Sequence, residues 1–177
     1  EHNVWKCGGC DLTSTRLYYR IYATGVSPGS FSNLNIPWSS GGNNGCGGQD
    51  QQWLNLSGNI DVLACLIPGS YTLEVYSDAS ITCGGSVSAN NNGSNYKASF
   101  SVGVPLILTN GGSNLSCRYS TLENAISALN SASITSPVII TVYGPQTAPD
   151  GTGYLITQSG TQSNPITIEG ISSIITS

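Results

Sequence analysis

The feature that most limits the fold of this chain is an alternation of apolar and polar residues with a period of two, repeated through residues 13 to 103 with no helical period between the repeats. In TRLYYRIYA, Leu17, Tyr19 and Ile21 alternate with Arg16, Tyr18, Arg20 and Tyr22, the pattern of a strand with one face buried. In YTLEVYSD, Tyr71, Leu73 and Val75 share one face; Thr72, Glu74, Tyr76 and Asp78 share the other, which puts both carboxylates on the solvent side. In NYKASFSV, Tyr96, Ala98, Phe100 and Val102 oppose Lys97, Ser99 and Ser101. The apolar run IDVLACLI (60 to 67) reads as a central strand and WLNL (53 to 56) as a weaker one. About six or seven such strands without intervening helices form antiparallel sheets that bury one face each, and an Ig-like β-sandwich is the expected solution.

The pattern changes after Gly103. A strand-like VPLILT and an NGG turn lead into SCRYSTLENAISALNSA, the one segment with a clear helical period. Leu122, Ala125, Ile126 and Leu129 recur at i, i+3, i+4 and i+7, and Ser120 with Glu123 forms an S-x-x-E capping box, which predicts a helix over 121 to 130. Four short apolar segments follow: VIITVY (138 to 143), YLIT (154 to 157), NPITIEG (164 to 170) and SIITS (173 to 177). Brief strands at this spacing are the expected rungs of a parallel β-helix, and the helix before them is placed to cap its first coil. The chain is therefore expected to be mainly β, with a sandwich over 1–103 and a capped β-helix start over 104–177. So few coils bury little core, so the natural chain is expected to continue past Ser177.

Composition narrows the setting. Only 8% of residues are charged, while six are cysteine; neutral polar surface with paired thiols points to an extracellular, oxidising location. The five Lys and Arg residues (Lys6, Arg16, Arg20, Lys97, Arg118) are scattered and the net charge is −4, so no basic patch suits a nucleic acid. No apolar run reaches the roughly 18 residues of a membrane span, which argues against membrane insertion.

The CGGC pair of Cys7 and Cys10 beside Trp5 has the spacing of a thiol-disulfide oxidoreductase site. Such a site needs a helix N-terminus to stabilise the thiolate, and here DLTST and a strand follow instead. Zinc would need a second pair at matching spacing, whereas Cys46, Cys65, Cys83 and Cys117 stand singly. All six are read as structural disulfide cysteines, and six allow 15 pairings among which the sequence does not choose. The only histidine is His2 at the terminus, a poor basis for a catalytic triad or a histidine metal site. The carboxylates show no paired motif of the glycosidase kind. Oxygen ligands at Asp50, Asp61, Asp78 or the Asn90 to Asn92 run would suit calcium, though without EF-hand spacing; no other cofactor is expected. GGNNGCGG (41 to 48) lacks the Lys-Ser/Thr ending of a phosphate loop and reads as a hairpin connection tied down by Cys46. Trp38 and Trp53 are candidate glycan-contact aromatics, set against the commoner role of tryptophan as core filler.

The order of motifs LYYRIYATGVSPGSFSNLNIPWSS, GGQDQQW, PGSYTLEVYSDA and NNNGSNYKASFSVG resembles an N-terminal β-sandwich module of very long secreted proteins of Bacteroidota. STLENAISALN followed by SPVIITVYGPQTAPDGTGYLITQSGTQSNPITIEG resembles the helix-capped start of the parallel β-helix regions in the same surface proteins. This resemblance implies a giant cell-surface adhesin of the SprB-like gliding-motility kind, exported by the type IX secretion system. Its implied partners are a surface polysaccharide or other extracellular substrate and the secretion or motility machinery. The expected function is structural and adhesive rather than enzymatic. The alternative is an extracellular polysaccharide-degrading enzyme, with the sandwich as accessory module and the β-helix as the start of its catalytic domain.

Overall fold

The computed structural model describes residues 2–42 and 50–176. The protein is mainly β, with predominantly antiparallel sheets and, among the described residues, no closed barrel, and it divides into two compact units. One unit is Glu1–Val62 with Ser70–Phe100; the other is Leu63–Gly69 with Ser101–Ser177. The segment Leu63–Gly69 belongs with the second unit.

The first unit contains β1 (His2–Lys6), β2 (Leu12–Ala23), β3 (Ser32–Ile36), β4 (Trp38–Gly42), β5 (Asp50–Asn55), β6 (Gly69–Ile81), β7 (Ser86–Ala89) and β8 (Tyr96–Val102). β1, β5 and β4 form a three-stranded antiparallel sheet in that order. β3, β2, β6 and β7 form the larger sheet, with β8 also paired to β6. The long strands β2 and β6 are the alternating segments of the sequence, and they pair in register from Ser14–Ser80 to Ala23–Tyr71. Leu12, Ile36, Tyr71 and Ala79 are buried. Cys10 is bonded to Cys83, joining the start of β2 to the turn after β6.

Two expectations for this unit are corrected. IDVLACLI is a turn, not a central strand: Cys65 adopts a left-handed conformation at φ 58°, is bonded to Cys117, and the Leu63 carbonyl accepts from the Arg118 guanidinium at 3.4 Å. Those ties hold the apolar run as a turn. Glu74 does not face solvent; it is 2% exposed, because Arg20 lies directly across from it on β2 and supplies the partner that a buried carboxylate requires.

The second unit contains β9 (Leu106–Thr109), β10 (Arg118–Tyr119), α1 (Leu122–Ser131), β11 (Val138–Tyr143), β12 (Gln146–Thr147), β13 (Ile166–Ile171) and β14 (Ile175–Thr176). The sheet order is β10-β9-β11-β13, antiparallel except for the parallel β11–β13 pair. β12 pairs parallel with β14. The apolar stripe of α1 (Leu122, Ala125, Ile126, Leu129) is buried against Ile107, Val138, Ile140 and Val142, so one helical period meets one strand period in a single core. The helix begins one residue later than the S-x-x-E motif implies. Thr121 is the N-cap, its Oγ1 accepting from the Asn124 amide at 3.1 Å, while Ser120 Oγ accepts from the Asn124 side chain. The buried Gln146 Oε1 accepts from the Leu122 amide, and Gln158 Nε2 donates to the carbonyls of Asn130 and Ala132 at the other end. YLIT is not a strand: the Leu155 carbonyl and the Thr157 amide are instead held by the side-chain amide of Asn130.

Candidate functional site

The three-stranded sheet presents two unlike faces. His2, Val4 and Lys6 alternate with Asn3 and Trp5 along β1, and the first set is covered while the second is exposed. Val4 lines a small apolar cavity with Ala79 and Val87 of the larger sheet. Lys6 is buried, and its ammonium donates to Asp11 at 2.9 Å. Direct cross-strand partners project from the same face, so Trp53, opposite Val4, shares the covered side. On that side Gln51 Oε1 accepts from the Leu12 amide at 2.7 Å.

On the outer face, Trp5 lies opposite Gln52, and Gln52 lies opposite Ser40. One row of side chains therefore crosses all three strands. Gln52 Nε2 donates to Asn3 Oδ1 at 3.3 Å and its Oε1 accepts from Ser40 Oγ at 3.2 Å. Trp5 stands beside this row at 49% exposure. The row carries no charged side chain.

The candidate aromatics separate accordingly. Trp38 and Trp53 are directly paired across β4 and β5, but they differ in access. Trp38 is 57% exposed at the sheet edge beside Gly41. Trp53 is half-buried, and its indole nitrogen is enclosed with no acceptor among the described residues. Trp5, on the outer face, is an aromatic that the sequence places only beside the CGGC cysteines. Its alternation against Val4 and Lys6 is the signal that locates it.

Cys10–Cys83 and Cys65–Cys117 are disulfides, and Cys7 is also disulfide-bonded. Cys46 and the GGNNGCGG loop from residue 43 onward lie outside the described residues. Cys7 and Cys10 do not bond to each other, since Cys10 is joined to Cys83. The CGGC motif is thus an element of the scaffold with no thiolate to supply.

On the larger sheet, Glu74 anchors a second polar cluster. Its Oε2 accepts from Arg20 Nε at 2.9 Å and from the Tyr22 hydroxyl at 3.2 Å, and Asn95 Nδ2 donates to Oε1 at 2.7 Å. The Arg20 guanidinium lies 4.1 Å from the Phe31 ring centroid and also donates to the Gly29 carbonyl. Tyr76 stacks on Tyr18 at 4.6 Å with Phe31 at its edge. Burial pushes the Glu74 carboxyl up, but the Asn95 and Arg20 hydrogen bonds and the Arg20 and Lys97 charges outweigh it and hold the group below its ordinary range. Arg20, Tyr22 and Asn95 all donate to Glu74 and Arg20 donates to Gly29 besides, so the cluster ties the loops bearing Gly29 and Asn95 to the sheet.

Among the described residues, no group of three or more His, Cys, Asp or Glu side chains is gathered as a metal site. Asp50 and Asp78 lie in strands and Asp61 in the segment after β5, while the Asn90 side chain caps its own turn by accepting from the Gly93 amide. No helix among the described residues is long and apolar enough to cross a membrane. No protein-family model matches the chain, and no curated protein or solved structure shows significant similarity to it.

Proposed function

We propose that this chain is part of a secreted, non-enzymatic cell-surface adhesin, in which an Ig-like sandwich carries a contact face and a helix-capped parallel β-helix begins a rigid stalk. The observation that carries the reading is the pairing in the second unit. Val138 through Tyr143 match Ile166 through Ile171 residue for residue in parallel, and the next strands, at Gln146 and Ile175, stack in the same sense. Two successive pairings in the same parallel sense are how a coil lies on a coil, and α1 covers the side where Val138, Ile140 and Val142 are buried. Ile168, Ile171 and Ile175 remain exposed on β13 and β14. In the first unit, the apolar cavity lined by Val4, Ala79 and Val87 supports face-to-face packing of two sheets. Disulfides in both units favour an oxidising compartment, with display through type IX secretion and a role in gliding as the corresponding cellular setting.

Adhesion and hydrolysis are separable in one experiment. Beads coated with the protein are tested for retention on polysaccharide films, and the same films are assayed for newly released reducing ends. Retention without release supports the adhesive reading. Release of oligosaccharides would overturn it in favour of a polysaccharide-degrading enzyme, and beads that adhere to no film would remove its polysaccharide partner.

A further inference from the structure

We infer that the outer face of the three-stranded sheet is the polysaccharide contact, and that it takes an uncharged, ribbon-like β-linked glycan lying along the row Trp5–Gln52–Ser40. This deepens the adhesive reading and rests on it. The row spans two inter-strand steps, about 10 Å, which accommodates consecutive sugar rings. A pyranose has an apolar C–H face and an equatorial rim of hydroxyls, so it needs a flat aromatic beside neutral groups that both donate and accept. Trp5 supplies the first at 49% exposure, on the open side of the sheet rather than against the covered residues Val4 and Lys6.

The amide row supplies the second. Gln52 uses one N–H toward Asn3 and one lone pair toward Ser40; an amide has two of each, which leaves one donor and one acceptor beyond these two bonds. Asn3 accepts through Oδ1 from Gln52 and keeps its Nδ2 hydrogens for a ligand. The internal bonds fix these rotamers before binding, which lowers the ordering cost that long polar side chains otherwise carry. The occupant follows from charge: the row carries no ionised side chain, and burying a uronate or sulfate there would leave a charge without a counter-ion. A neutral sugar polymer has no such penalty. Trp53 is excluded because it shares the covered face with Val4, and Trp38 because its cross-strand partner is Trp53 and not Gln52, which leaves it outside the row.

The test is affinity electrophoresis and titration of the intact chain against soluble mixed-linkage β-glucan, xylan and mannan, with alginate and polygalacturonate as anionic comparisons. Binding to a neutral β-glycan is expected to be independent of salt. W5A should weaken it about tenfold or more, the scale of one lost aromatic contact, W5F should retain part of it, and W38A should leave it unchanged. Unaltered circular dichroism separates loss of contact from loss of fold, and if W5A does not fold, Q52A, expected to weaken binding severalfold, takes its place. W5A binding like the parent, preference for the anionic polymers, or an equal loss in W38A would each overturn the assignment. If beads bearing W5A still adhere as the parent does, this site is wrong while the adhesive reading stands; if the parent adheres to nothing, the adhesive reading fails first.

Discussion

The Arg20–Glu74 pair gives the sharpest test of how the first unit is held together. The Glu74 side chain is 3% exposed and the Arg20 side chain 20%, with 2.8 Å between guanidinium nitrogen and carboxylate oxygen. Removing one member of a buried, hydrogen-bonded pair costs about 3–5 kcal/mol, because the other is left uncompensated. Glu74→Leu should therefore cost about 3 kcal/mol, since partial solvation of Arg20 keeps the penalty at the low end of that range. Arg20→Met should cost about 2 kcal/mol, because Asn95 and Tyr22 still donate to the carboxylate. The double variant should lose only about 3 kcal/mol, giving a coupling of about 2 kcal/mol. Urea unfolding followed by near-ultraviolet circular dichroism of the stacked Tyr18–Tyr76 pair reads the unit concerned. The linkage sign is fixed by the direction of the shift. A carboxyl held below its ordinary range contributes stability in full above the unfolded value, about 4.3, and that contribution is lost as pH falls through the lower folded value. Glu74→Leu must abolish this part of the acid-side loss. Additive single variants, or an acid transition unchanged in Glu74→Leu, would show that the pair does not act as one buried interaction.

Three further outcomes are expected. Replacing Cys65 and Cys117 by serine opens a link across 52 positions and should lower the stability of the second unit by about 4 kcal/mol on the loop-entropy estimate, read as a shift in urea midpoint that reduction of the parent reproduces. Leu129→Ala, at a fully enclosed position between α1 and the sheet, should cost about 3 kcal/mol, measured by thermal unfolding at 222 nm on the order of a single helix signal. Thr121→Ala should cost about 1 kcal/mol and Ser120→Ala only a few tenths, an order that reverses if Ser120 is the true cap.

How much of this was legible in the sequence depended on whether a segment's own residues or its neighbours decided its state. β2, β6, β8, β11 and β13 carry period-two runs of Tyr, Val, Ile and Leu, and α1 carries an unambiguous apolar stripe; each is a local property and each was readable. β1, β3, β4 and β7 were not. SNLNI, WSSGG and SVSA are rich in Asn, Ser and Gly, which have little strand preference, and they are extended because β2, β5 and β6 offer them an edge. IDVLACLI erred in the opposite direction: its apolar run fits a strand, but the bond from Cys65 to Cys117 is invisible until the pairing is known. Glu74 was misread for the same reason. Alternation assigned it to a face, but only the register that sets Arg20 opposite says that the face is covered. The candidate contact face was hidden likewise, because Asn3, Trp5, Ser40 and Gln52 come from three segments that nothing in their order brings together.

The neutral polar residues that composition assigns to surface have a second task in the structure. Gln146 and Gln158 close the two ends of α1. Asn110 binds the Gly112 and Ile139 amides and the Pro137 carbonyl, fixing the turn after β9 to the start of β11; Ser113, in a left-handed conformation, exchanges bonds with Ser136 across the same gap. Asn55 ties the end of β5 to the Asn35 carbonyl, and Asn130 holds the segment at Leu155 and Thr157. An amide both donates and accepts, so one side chain can satisfy an orphan N–H and an orphan C=O where short strands and turns leave many of each. Carboxylates and ammonium groups offer only one sense of bond and a desolvation cost besides. A chain of short strands, long turns and few charges is therefore chemically coherent: the amides join loops that regular ladders do not reach, the disulfides shorten the unfolded chain, and the proposed contact face at Asn3, Trp5 and Gln52 would turn the same chemistry outward.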